Sequence, residues 1–170
     1  MRRSIPALLL GLAAIIFVPH SAPAAGQGLK WRSWDVGLKE SGTAKKPVLV
    51  DVYTDWCGWC KRMDRDVYGK TEVSDYLAKK FVVVKLNAES ESPASYDGRP
   101  YTERSLATKF RVNGYPTTIF LGTSGEHLVN VPGYVPADDF LVLLRYIGDG
   151  AYQRGITFDQ FKKSGGSGGK

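Results

Sequence analysis

Pro47-Val48-Leu49-Val50-Asp51-Val52-Tyr53-Thr54-Asp55-Trp56-Cys57-Gly58-Trp59-Cys60-Lys61 is the stretch from which the fold is read. Its first half is a short, β-branched-rich apolar run after a breaker, the pattern of a buried strand. One acid, Asp51, interrupts it. Thr54-Asp55-Trp56 turns the chain. From Cys57 onward the pattern is helical, with Met63 and Val67 on one face and charges between them. A buried strand that feeds straight into a helix opening on Cys-x-x-Cys is a redox arrangement of two cysteines.

Working outward, Trp31 to Glu40 has helical spacing, with Ser33 as a candidate cap, before Gly42 and Lys45-Lys46-Pro47 break the chain. On the other side, Gly69-Lys70 interrupts the helix. Glu72 to Lys80 resumes it with Thr71 as cap, and Phe81 to Asn87 is a second strand. Ala88 to Pro100 is polar and rich in turn formers, so a loop is predicted. A helix over Tyr101 to Phe110 follows, then strands over Thr117 to Leu121 and Glu126 to Val131 joined by a tight turn. Pro136 opens a last amphipathic helix carrying Phe140, Leu143, Leu144 and Ile147. A short segment tethered by Ile156, Phe158 and Phe161 follows, and residues 164–170 are predicted to be a flexible Gly/Ser tail. Helices alternating with strands, then a hairpin, predict an α/β domain with a central mixed sheet flanked by helices on both faces.

The N-terminus reads as an address. Arg2 and Arg3 precede an apolar run from Ile5 to Val18, and Ala22-Pro23-Ala24 follows. These are the parts of a secretory signal peptide, with cleavage expected near Ala24. The alternative is a retained anchor over residues 5–18, although that run is shorter than the roughly 20 residues of a spanning helix. The domain is then expected over 25–163, with its core at about 31–148. The chain has 170 residues and a formal charge of +6, which falls to +4 without Arg2 and Arg3. No basic helix or aromatic-basic platform points to nucleic acid, so the charge reads as solubility.

Two cysteines exclude a disulfide scaffold and a four-cysteine zinc site. With His127 the one histidine after residue 24, no metal is expected either. The pair's spacing instead suits exchange chemistry. Cys57 at a helix N-terminus meets unpaired N–H groups and the positive end of the dipole, which favour the thiolate. A thiolate is what attacks a disulfide. Cys60, one turn on, is placed to resolve the mixed disulfide. A structural disulfide is the competing reading, but closing so short a loop contributes little through chain entropy.

Taken with Val84-Lys85-Leu86-Asn87, Gly114-Tyr115-Pro116-Thr117 and Gly133, the opening stretch resembles the thioredoxin superfamily over roughly Trp31 to Gly148. Within it the chain most resembles exported reductases, including the SoxW-like group and the carboxy-terminal domain of DsbD. The resemblance implies a thioredoxin-like fold, Cys57 as nucleophile and Cys60 as resolving thiol. It implies that Asp51 is a buried acid relaying protons and that Lys85 approaches and modulates it; Lys85 ending its strand in solvent is the alternative. Pro116 matches a cis-proline facing the sulfurs, against a plain trans turn proline. Trp56, Gly58, Trp59 and the Tyr115 backbone would line the substrate site, although the tryptophans can equally be packing residues. Gly-Trp between the cysteines departs from the Gly-Pro of thioredoxin, which leaves the redox direction open.

The expected function is therefore periplasmic reduction of protein disulfides by a monomer, with electrons from a membrane thiol–disulfide donor by resemblance. No cofactor beyond the Cys57–Cys60 disulfide is expected, since the sequence has no flavin or nicotinamide motif. An oxidase or isomerase of the same fold is one alternative. A binding or chaperone module with a structural disulfide is another.

Overall fold

The computed structural model describes Met1 and residues 28–166. The expected signal segment and its cleavage near Ala24 lie outside the described residues. Among those described, no helix is long and apolar enough to cross a membrane.

The elements are α1 (Trp34–Ala44), β1 (Val48–Tyr53), α2 (Gly58–Met63), α3 (Thr71–Lys80), β2 (Val82–Asn87), β3 (Pro93–Tyr96), β4 (Arg99–Thr102), α4 (Glu103–Lys109), β5 (Thr117–Leu121), β6 (His127–Pro132), α5 (Ala137–Gly148) and α6 (Phe158–Lys163). Strands β2, β1, β5 and β6 form one mixed sheet in that order. The β1–β2 pair is parallel, and β1–β5 and β5–β6 are antiparallel.

Period-two alternation sorts the core into two layers. Val48, Val50, Val52, Val84, Leu86, Ile119 and Leu121 meet Trp34 of α1 and Leu106 of α4 on one face. Leu49, Val83 and Phe120 meet Met63, Leu77, Phe140 and Leu144 on the other. Asp51 has the parity of Leu49. It therefore lies on the face that carries α2 and the cysteines.

Several predicted details differ in the structure. The first helix starts at Trp34 and runs through Gly42 to Ala44. Its start is delayed because Arg32 bridges Val84 in parallel, taking the Val83 carbonyl at 2.9 Å and receiving the Lys85 N–H at 3.0 Å. Ser33 sits at the cap position, but its side chain makes no cap bond. Lys70, not Thr71, is the N-cap of α3.

Residues 88–100 are not all loop. They hold β3 and the start of β4, antiparallel strands joined by Asp97-Gly98, both at positive φ (51° and 70°). Asp-Gly is a favoured hairpin turn, and Ala94 and Tyr96 are buried beneath it. Helix α4 starts later than Tyr101, at Glu103, because Thr102 and Ser105 form a capping box. Of the predicted tail, residues 164–166 are described: the Gly165 and Gly166 N–H groups close α6 on the Lys162 and Phe161 carbonyls at 3.2 and 3.0 Å, and residues 167–170 lie outside the described residues.

Between α2 and α3, Asp64–Tyr68 forms a π-helical turn, so the helical run continues unbroken from Gly58 to Tyr68. The Gly69 N–H reaches back to the Asp64 carbonyl at 2.9 Å. A Cβ at Gly69 would sit 2.6 Å from the Arg65 carbonyl oxygen, so this close approach requires glycine.

Candidate active site

Strand β1 ends in a turn that hands the chain to α2. The Cys57 N–H donates to the Thr54 carbonyl at 3.1 Å, which fixes the turn. Cys57 is the N-cap of α2 in extended conformation, and its sulfur accepts the Cys60 N–H at 3.0 Å. Sequence spacing thus places one sulfur at the end of a helical run and the other one turn inside it. Cys57 and Cys60 are joined as a disulfide with their Cα atoms 5.3 Å apart. Both are buried.

The rim is aromatic. Trp56 is 67% exposed and Trp59 54%, the two most exposed aromatic side chains among the described residues. Trp56 stacks edge-on against Tyr115 with centroids 6.0 Å apart, and its Nε1–H donates to Glu89 Oε1 at 2.9 Å. Trp59 packs on Tyr134 at 5.5 Å, and the Arg62 guanidinium lies over both rings at 5.0 and 5.3 Å. The Tyr115–Pro116 peptide bond is cis, and the Pro116 carbonyl accepts the Gly133 N–H at 2.8 Å. Gly58 has open space where a Cβ would project.

Behind the disulfide lies a charged cluster built by strand register. Asp51 pairs with Lys85 across β1–β2 and with Thr118 across β1–β5, so all three share one face. Asp51 is 1% exposed. Lys85 Nζ lies 2.5 Å from Asp51 Oδ2 and 2.5 Å from Asp64 Oδ1. It also sits 4.6 Å from the Trp31 ring centroid. Tyr68 Oη lies 3.4 Å from both Asp51 Oδ1 and Thr118 Oγ1.

Burial pushes the Asp51 carboxyl above the ordinary carboxylate range, against the pull of Lys85. Burial also opposes charge on Lys85, yet Asp51 and Asp64 together hold its ammonium above its ordinary value. Burial, with Asp51 beside it, raises the Tyr68 phenol well above the usual tyrosine value. One ammonium is therefore shared by a buried carboxyl and a surface one.

Residue by residue, the structure sets Lys85 on Asp51 rather than at a solvent-facing strand end. It brings Trp56 against Tyr115, with Gly58 and Trp59 on the helix that carries Cys60. Asp64, Tyr68, Thr118, Glu89, Arg62 and Tyr134 complete the surroundings and were not singled out as site residues. Thr118 was available from β5 parity with Phe120. Asp64 lies one helical turn after Cys60, a spacing that brings it to the same side. Nothing local in the sequence ties Glu89 or Tyr134 to the rim, because both arrive from distant loops. Among the described residues, no group of three or more His, Cys, Asp or Glu side chains is set to hold a metal ion.

A thioredoxin-like domain is matched over residues 34–148, more than half of the chain. The chain belongs to the thioredoxin-like family. Its thioredoxin-like sheet and helices superpose on a thioredoxin-fold protein from Helicobacter pylori with a TM-score of 0.64 at 24% identity, over 71% of this chain and 80% of that one. The thiol:disulfide interchange protein DsbD of Ralstonia nicotianae is 33% identical over 112 residues, 65% of this chain. The chain spans only 17% of that protein's length. The disulfide bond reductase DsbH of Chlamydia pneumoniae is 24% identical over 118 residues, 69% of this chain and 70% of that protein.

Proposed function

We propose that this protein is a dithiol–disulfide oxidoreductase that reduces disulfides of protein substrates outside the cytosol. One observation carries the reading: Cys57 caps an eleven-residue helical run, and Cys60, one turn inside it, points its N–H at the Cys57 sulfur. A sulfur so placed is favoured as thiolate by the helix N-terminus.

In the reduced form, the Cys57 thiolate attacks one sulfur of a substrate disulfide and expels the other as a thiolate. Deprotonated Cys60 then attacks the Cys57 sulfur. This closes the Cys57–Cys60 bond and releases the second substrate thiolate. Two electrons pass from the protein to the substrate, and the substrate thiolates take up the two protons the cysteines gave up. Asp51 accepts and returns the Cys60 proton, through water, because its burial keeps its proton affinity above that of an ordinary carboxylate. Lys85 modulates it through the contact at 2.5 Å. Tyr115 offers backbone beside cis Pro116 for an extended substrate segment, as in strand addition. Trp56, Gly58 and Trp59 form the apolar surround.

The pair itself is the redox group, so the reading requires no cofactor. A monomer suffices, re-reduced by a membrane thiol–disulfide donor of the kind the resemblance implies. The basic, apolar and Ala-x-Ala parts of residues 1–24 support export to a periplasm, with an anchor over residues 5–18 as the other form of the same location. Similarity to the disulfide bond reductase DsbH of Chlamydia pneumoniae supports the direction. A reduction potential near that of thioredoxin, about −270 mV, is expected; one near about −120 mV would make the protein an oxidase.

The deciding experiment is insulin-disulfide reduction by Cys57→Ser. Activity falls to background if Cys57 is the nucleophile; full retention refutes that role, and no reduction by the wild-type protein would favour a binding module. Cys60→Ala is expected to accumulate mixed disulfides with its substrates, since nothing then resolves them.

A further inference from the structure

The two exposed tryptophans bracket Cys57 in the chain, and each is held by one charged side chain of opposite sign. Trp56 gives its indole N–H to the Glu89 carboxylate at 2.9 Å. Trp59 lies under the Arg62 guanidinium at 5.0 Å, with Tyr134 completing the stack. Large apolar side chains at this exposure mark an interaction surface rather than core.

The charge difference extends past these two contacts. At the Trp56 end, Asn87 links Glu89 to two more acids: its Nδ2 lies 3.5 Å from Asp55 Oδ1, and its N–H donates to Glu103 Oε2 at 3.2 Å. Nearby Arg104 is engaged with Glu91 at 2.9 Å and with the Glu89 backbone carbonyl, so this end keeps a net negative charge. At the Trp59 end, Arg62 is offset only by an exposed contact to Asp66 at 3.3 Å, and Asp66 is shared with Arg65. Gly58, Trp59 and Arg62 line an open depression of about 210 Å³ there, with room for one side chain.

We propose that this rim is a polarised docking surface for an extended, disulfide-bearing polypeptide that carries a basic side chain toward Trp56 and Glu89 and an acidic one toward Trp59 and Arg62. The inference rests on the oxidoreductase reading and adds the class of substrate sequence that it favours. The aromatic faces supply sequence-tolerant contact area. The two charges, held at the two tryptophans that bracket Cys57 in the chain, fix which way round the segment lies, as charge complementarity does at interfaces. A segment laid the wrong way places like charges together at both ends.

The test uses three disulfide-linked peptides of equal length. One has Lys before and Glu after its cysteine, one has the order reversed, and one has Gln at both places. One charged order is expected to exceed the other in kcat/KM by about fivefold or more, the sum of two exposed pairs made or reversed. The preference is expected to shrink toward unity between 0.05 and 1 M salt, where the Debye length falls to about 3 Å. It is also expected to disappear in Glu89→Gln/Arg62→Gln. Equal kcat/KM for both charged orders while all three peptides turn over overturns the polarised rim and leaves the oxidoreductase reading standing. A preference that survives both high salt and the double variant overturns it too. No turnover of any peptide refutes the oxidoreductase reading itself and the rim with it.

Discussion

Two glycines in the same helix should respond in opposite directions to the same substitution. In α1, a Cβ at Gly37 would stand 2.2 Å from Val84 Cγ2, whereas at Gly42 it would meet nothing within 4 Å. Both positions gain helix propensity on Gly→Ala, about 1 kcal/mol in a helix interior. At Gly42 nothing opposes that gain, so Gly42→Ala is expected to stabilise by about 0.5–1 kcal/mol. At Gly37 an ordinary contact distance requires the helix and β2 to separate by about 1.2 Å. Val84 has little freedom to yield, because it is β-branched, fully buried and held between β1 and the Arg32 bridge. Trp34 and Ser41 flank Gly37 on the same buried face, so the helix cannot lift at that point alone. Overpacking of this kind costs about 1–3 kcal/mol, which outweighs the propensity gain. A net loss of about 1–2 kcal/mol is expected for Gly37→Ala. Urea denaturation of the oxidised protein measures both, with an unchanged m-value as the sign that only stability has moved. A Gly37→Ala protein as stable as wild type, or two variants shifting the same way, would refute the close-packing argument.

Three further outcomes follow from the core and the charged cluster. The raised Asp51 means that the folded protein binds this proton more tightly than the unfolded chain. Its contribution to stability is therefore full below the ordinary carboxyl range, near pH 4, and is lost as pH rises through the folded-state value. Asp51→Asn should accordingly gain stability relative to wild type as pH rises above the ordinary carboxyl range, and parallel melting-temperature profiles would contradict this. The same variant should slow disulfide exchange near neutral pH, measured by stopped-flow fluorescence; an unchanged rate would remove Asp51 from the proton relay. Trp34 is fully buried and its Nε1–H donates to the Ser95 carbonyl at 2.8 Å. Trp34→Ala should cost about 3–5 kcal/mol by denaturant titration, and a loss under about 1 kcal/mol would mean that the α1–hairpin layer is not packed as described.

What the sequence made legible was whatever repeats locally. The run from Val48 to Tyr53 carries its strand in its β-branched residues, whereas the resemblance, not a local pattern, marks Asp51 as the buried acid. The helix start at Cys57 followed from the change of period. By contrast, Trp31 and Arg32 have apolar and long side chains that suit a helix, and only pairing with Val83 and Lys85 draws them out straight. The β3–β4 hairpin hid because Pro93, Ser95, Arg99 and Pro100 lack strand-forming character, and its burial comes from Trp34 and Phe110, both far away in sequence. Asp64 joins Lys85 through a π-helical turn, a backbone state that leaves no periodic signature. The site's short-range half was readable. Its long-range half depended on which loops the fold brings to the rim.

The sheet margins carry a consequence for the proposed reduction of protein disulfides. Substrates with accessible disulfides also expose unpaired backbone, and an open sheet border would recruit it along its whole length. Here one border, β2, is already occupied at its centre by Arg32. The other, β6, is interrupted by a register shift opposite Phe120 and Leu121 and ends in Pro132, which has no N–H to donate. Neither border presents a long regular ladder. On the proposed function, substrate chains would not accrete on the flanks, and the short stretch of backbone beside Tyr115 would be left as the place for strand-like contact.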